Sequence, residues 1–157
     1  MLLGLPLATF TAIHVAISLI GIVAGFILLF GLLANKLPRL SNGIFLLFTI
    51  LTSLTGFLFP NAHITPGIIL GILSMIALVL ALIALYAGHL TGAWKPTYAI
   101  TAMIAQFFNT FVLLAQTFEK TPALHALPPS ALKICQLLLL VIFIALITLA
   151  AKRFRSI

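Results

Sequence analysis

Apolar residues run in long uninterrupted blocks along this chain, and the few charges fall between them. Positions 1–35 carry no charge before Lys36 and Arg39, and positions 40–94 carry none before Lys95. Positions 96–118 are uncharged up to Glu119 and Lys120, and 134–151 are uncharged up to Lys152, Arg153 and Arg155. A helix needs about 20 apolar residues to cross a hydrocarbon core of roughly 30 Å. The block 40–94 is too long for one crossing. It is broken at Pro60-Asn61-Ala62-His63-Ile64-Thr65-Pro66, where one proline ends a helix and the other opens the next. The pattern predicts an all-α, polytopic membrane helix bundle: a single transmembrane domain with five spans at about 9–33, 40–59, 66–89, 96–118 and 131–151. The first block lacks a basic leader and exceeds the 7–15 apolar residues of a secretory signal, so it is expected to be a span.

Composition agrees with that reading. Hydrophobic residues make up 64% of the 157 and charged residues 6%, too few to cover a soluble domain of this size. The net charge of +7 is spread singly between apolar runs, without the clustering that a nucleic-acid face requires, so nucleic acid is not an expected partner. Lys36, Arg39, Lys95, Lys152, Arg153 and Arg155 share one side of the expected membrane, against Lys120 and Lys133 on the other. The positive-inside rule then puts the amino terminus out and the carboxyl terminus in the cytoplasm. Trp94 and Tyr98 fall where an interfacial aromatic anchor belongs. Cys135 stands alone, which excludes an internal disulfide and a CxxC redox pair.

Helix-packing seams are legible as well. Thr11, His14, Ser18, Gly21 and Gly25 recur at spacings of three and four on the first span. Gly21 and Gly25 form a GxxxG pair, as do Gly67 and Gly71 on the third, and small residues at that spacing let backbones approach closely in lipid. Thr49, Thr52, Ser53 and Gly56 line one side of the second span, while the fifth, Leu-rich, is expected to be the most lipid-exposed.

Polar groups in hydrocarbon need partners. His14, Asn109, Gln116 and Gln136 stand out, with Ser18 and Ser53 near them, as candidate ligand-binding residues. Because alternate spans run in opposite directions, these groups gather toward one leaflet, with His14 about 8 Å below its surface. His63 and His125 lie in the loops on that side. Three readings stay open for the cluster. The polar groups hydrogen-bond one another across helix seams. They line a pocket for a lipid-soluble ligand, a lipid or a quinone head group. Or His14, His63 and His125 hold a metal or haem. No catalytic residues are identified: there is no phosphate loop, no nucleophile elbow and no acid within a span.

The runs Leu54-Thr55-Gly56-Phe57-Leu58-Phe59-Pro60, Ile64-Thr65-Pro66-Gly67 and Leu90-Thr91-Gly92-Ala93-Trp94 resemble a family of small bacterial hypothetical integral membrane proteins. So do the stretch from Asn109 to Leu124, the closing Arg153-Phe154-Arg155 and the early His14. The likeness covers nearly the whole chain. Where that family carries a longer loop with a Glu after Leu127, this chain has Pro128-Pro129-Ser130. The resemblance implies a bacterial inner-membrane location and no particular activity.

The leading functional reading is a non-catalytic binding or accessory protein with an outer-leaflet polar pocket. Its partners are membrane lipids and a lipid-soluble small molecule, with a homo-oligomer or larger membrane complex left open. The alternative is a haem- or metal-dependent redox or lipid-modifying enzyme using the outer histidines. The loop after Glu119, stiffened by Pro122, Pro128 and Pro129, is expected to fold over the bundle and shield His14 and Gln116.

Overall fold

A computed structural model of the chain describes residues 4–60 and 63–155. These residues hold helices and no strand: α1 (Leu7–Leu33), α2 (Arg39–Phe57), α3 (Pro66–Leu82), α4 (Trp94–Lys120), α5 (Pro122–His125) and α6 (Pro129–Arg153). Five of them are long and apolar enough to cross a membrane, by length and composition.

Helix ends follow the local chemistry. Pro66, Pro122 and Pro129 each occupy a first-turn position, where a missing N–H costs nothing. Thr65 caps α3 by accepting from the Ile68 N–H at 3.3 Å. Past the end of α1, Asn35 takes a left-handed φ of 54°, a conformation Asn tolerates better than most residues. At its far end α3 widens into a π-turn, Ile83–Ala87, and the Gly88 N–H bonds the Ile83 carbonyl at 2.8 Å. The ring of Trp94 covers Gly88 so closely that no β-carbon would fit there.

Helix α4 is the hub. It packs against α1, α2, α3, α5 and α6, and 44% of its most apolar stretch is buried, against 11% for α6. Ala99, Ala102 and Ala105 are fully buried on it and let the neighbouring helices close in. The core occupies one end of the bundle. It joins Leu28, Leu29 and Leu32 of α1, Phe45 of α2, Leu78 and Ala81 of α3, Met103 of α4, and Ala150 of α6. These come from the C-terminal parts of α1, α3 and α6 and the N-terminal parts of α2 and α4, the end that carries Lys152. On α4 no residue beyond Asn109 is buried, so packing loosens toward the end that carries His14.

Polarity is inverted relative to a water-soluble domain. Asn42, Thr49, Ser53, Ser74, Thr101, Gln106 and Asn109 are buried, whereas Phe30, Leu137 and Val23 are 60–66% exposed. Apolar side chains on the outside and amides within suit a hydrocarbon solvent.

Candidate functional site

Three polar contacts close the bundle from within. The Tyr98 hydroxyl donates to Oδ1 of Asn42, joining α4 to α2. Tyr98 is therefore wholly buried and not the interfacial anchor its position suggested, because a buried amide supplies its partner; Trp94 is 40% exposed. Next, Gln106 donates from Nε2 to the Ile22 carbonyl of α1 at 3.0 Å. Finally, Asn109 donates from Nδ2 to Oγ1 of Thr49 on α2 at 3.3 Å. Gln106 and Asn109 sit on the alanine face of α4, three residues apart, so one side of that helix supplies both.

His14 stands apart from these. Half-buried on α1, it meets Oγ1 of Thr55 on α2 through Nδ1, at 2.7 Å. Thr55 has a single hydroxyl hydrogen, and it is directed to the Leu51 carbonyl at 2.7 Å. With the hydroxyl hydrogen on that carbonyl, the imidazole donates to Thr55 from Nδ1 and Nε2 is left as an acceptor; with the hydrogen turned to Nδ1, the proton sits on Nε2 instead. The ring packs on Gly56, where a β-carbon would lie 3.6 Å from Cε1 of His14, an ordinary contact. The ring stands edge-to-face on Phe59 with centroids 5.2 Å apart, and Phe59 in turn meets Phe10 at 5.1 Å. The result is an aromatic-walled imidazole at the loosely packed end, with Nδ1 engaged on Thr55.

The remaining sequence candidates are distributed around this arrangement. The Ser18 hydroxyl bonds back to the His14 carbonyl at 2.7 Å within its own helix. Ser53 is buried on α2 and Gln136 is half-buried on α6. Gln116 is exposed and donates to Oε2 of Glu119 at 3.4 Å. His14 and Asn109 thus pair with threonines of α2 and not with each other. His63 and His125 are exposed in the connections, and no group of three or more His, Cys, Asp or Glu among the described residues is placed to hold a metal ion.

Two expectations about this end change. The connection after α4 forms the short helix α5, which packs on α4 alone among the helices. It leaves Gln116 exposed instead of covering it, because an exposed amide two turns beyond the last buried residue of α4 has no other helix above it. The two glycine pairs also differ from one another. Gly21 lies against the backbone of Phe48 and Thr49 with 3.4 Å for a β-carbon, and Gly25 against Gln106 and Phe45. Gly71 abuts Phe57 of α2, while Gly67 meets only Thr65 of its own helix start.

Gln106, Tyr98–Asn42 and Thr55 are the residues that sequence reasoning passed over. Gln106 was findable, since it lies three residues before Asn109 on the fourth span and so falls on nearly the same face. No protein-family model, curated protein or solved structure matches the chain.

Proposed function

We propose that the chain is an integral protein of the bacterial inner membrane, crossing five times with its amino terminus out and its carboxyl terminus in. Within it we place a non-catalytic binding or accessory role, with His14 as the contact for a lipid-soluble ligand. One observation carries this reading. Asn42, Gln106 and Asn109 pair inside helix seams, whereas His14 is half-exposed at the loose end with Nδ1 on Thr55, and in the tautomer that donates to Thr55 its Nε2 is left to accept a hydrogen bond. The ligand that fits is one whose head group donates: a quinol hydroxyl or a lipid hydroxyl, its apolar part lying among Phe10, Phe59 and the bilayer. Inverted polarity and the six cations gathered at the Lys152 end support the membrane location and orientation.

Protein purified in mild detergent tests this reading, with bound lipids and quinones extracted and weighed by mass spectrometry. The wild type should retain a hydroxyl-bearing lipid-soluble molecule that His14→Ala loses. Thr55→Val, which removes the partner that sets the ring, should retain less than the wild type. Equal retention by His14→Ala would contradict the site. A Soret band that His14→Ala abolishes would replace this reading with the haem one.

A further inference from the structure

At the end of the bundle opposite His14, α4 and α6 leave a hollow of about 330 Å³ between them. Its walls are Pro96 and Ile100 from α4, and Ile147, Thr148 and Ala151 from α6. Lys152 and Arg155 complete it. Positions 147, 148, 151 and 152 share one side of α6, and Arg155 follows in the turn just past its end, so the apolar floor and the cations line one hollow. Ile147 lies five residues before Lys152, about 8 Å deeper along the helix. The hollow is thus apolar at depth and basic at its mouth.

Charge at this end has no counterpart in the protein's side chains. The only acid of the chain, Glu119, sits in the last turn of α4, at the opposite end. Arg153 is occupied in tying α6 to α1, donating from Nη1 to the Leu33 carbonyl at 3.3 Å. Lys152 and Arg155 are exposed beside the hollow. An anionic group there gains attraction from both, with no side-chain carboxylate nearby to oppose it.

We propose that this hollow is a binding site for one anionic phospholipid, with its phosphate on Lys152 and Arg155 and an acyl chain between α4 and α6 on Ile100 and Ile147. The occupant is a lipid and not a free phosphate, because the larger part of the lining is apolar and can be covered only by hydrocarbon. A zwitterionic lipid would bring a cation to a mouth that already holds two. The inference rests on the membrane reading above but is independent of the His14 ligand.

Native mass spectrometry of the detergent-purified chain tests the proposal, using phosphatidylglycerol and phosphatidylcholine of identical acyl chains. Phosphatidylglycerol should bind at low stoichiometry and more tightly than phosphatidylcholine. Lys152→Gln/Arg155→Gln should weaken it roughly thirtyfold, the combined effect of two basic contacts. Lys36→Gln/Arg39→Gln removes the same charge from the same end but outside the hollow, and should leave binding within about threefold of wild type. Ile100→Trp, which fills the hollow without changing charge, should also weaken binding, and millimolar inorganic phosphate should not compete. Equal binding of the two lipids, or equal losses in the two double variants, would overturn the proposal. So would full binding in Ile100→Trp. Phosphatidic acid, anionic but without an alcohol hydroxyl for His14, should bind this hollow in wild type and His14→Ala alike and weaken in Lys152→Gln/Arg155→Gln, so failure of the His14 site and failure of this one are read separately.

Discussion

The side-chain oxygen of Gln106, on α4, occupies the space that a β-carbon at Gly25, on α1, would need. The same carboxamide donates through Nε2 to the Ile22 carbonyl, three residues earlier on α1. Its Oε1 is buried without a conventional hydrogen-bond partner. The hydrogen that Gly25 carries in place of a side chain points toward that oxygen, a Cα–H···O contact of the kind found between closely packed helices. Gln106 therefore grips α1 with both ends of its amide, and only glycine at position 25 allows it.

Gly25→Ala should consequently cost about 2 kcal/mol, because the methyl displaces a buried amide and breaks its hydrogen bond. Gly21→Ala should cost less, since a β-carbon there would find 3.4 Å to its nearest neighbours. Phe45 also crowds Gly25, but it does so whether or not Gln106 is present. A double-mutant cycle of Gly25→Ala with Gln106→Ala isolates the amide contact. Thermal unfolding in detergent should show the double variant at least ~1 kcal/mol more stable than the two single effects added together. Strict additivity would mean that the two residues do not act on each other.

Legibility from sequence divides along physical lines. The five long helices were readable because charges and prolines interrupt the long apolar runs, and the helices begin and end near those marks. That Gly21, Gly25 and Asn109 face other helices followed from spacing alone. Which helix they face did not. Thr55 as the partner of His14, and Thr49 as that of Asn109, depend on how α1 and α4 rest on α2, and periodicity on one helix carries no information about its neighbour. Gln116 shows the same limit differently. It lies seven residues from Asn109 and so on nearly the same side of the helix, but burial along α4 ends at Asn109.

Gln116→Cys, made in a Cys135→Ala background, should react rapidly with a membrane-impermeant thiol reagent. Its exposure and its contact with Glu119, in place of any residue from another helix, are the basis. Deleting residues 124–127 should change the rate by less than about twofold, because α5 rests on α4 and covers none of the other helices. Slow labelling that speeds up on deletion would show that the connection is a lid after all.

The proposed inside-out bundle, crossing the membrane five times, is tested most directly by reporter fusions. Paired reporters, one active only in the periplasm and one only in the cytoplasm, would be joined after Arg39, Ala62, Lys95, Lys120 and Ile157. The positions should read in, out, in, out, in, as the cation-rich Lys152 end requires. Two neighbouring fusions on the same side would remove a crossing, and a periplasmic signal after Ile157 would invert the protein and contradict the account.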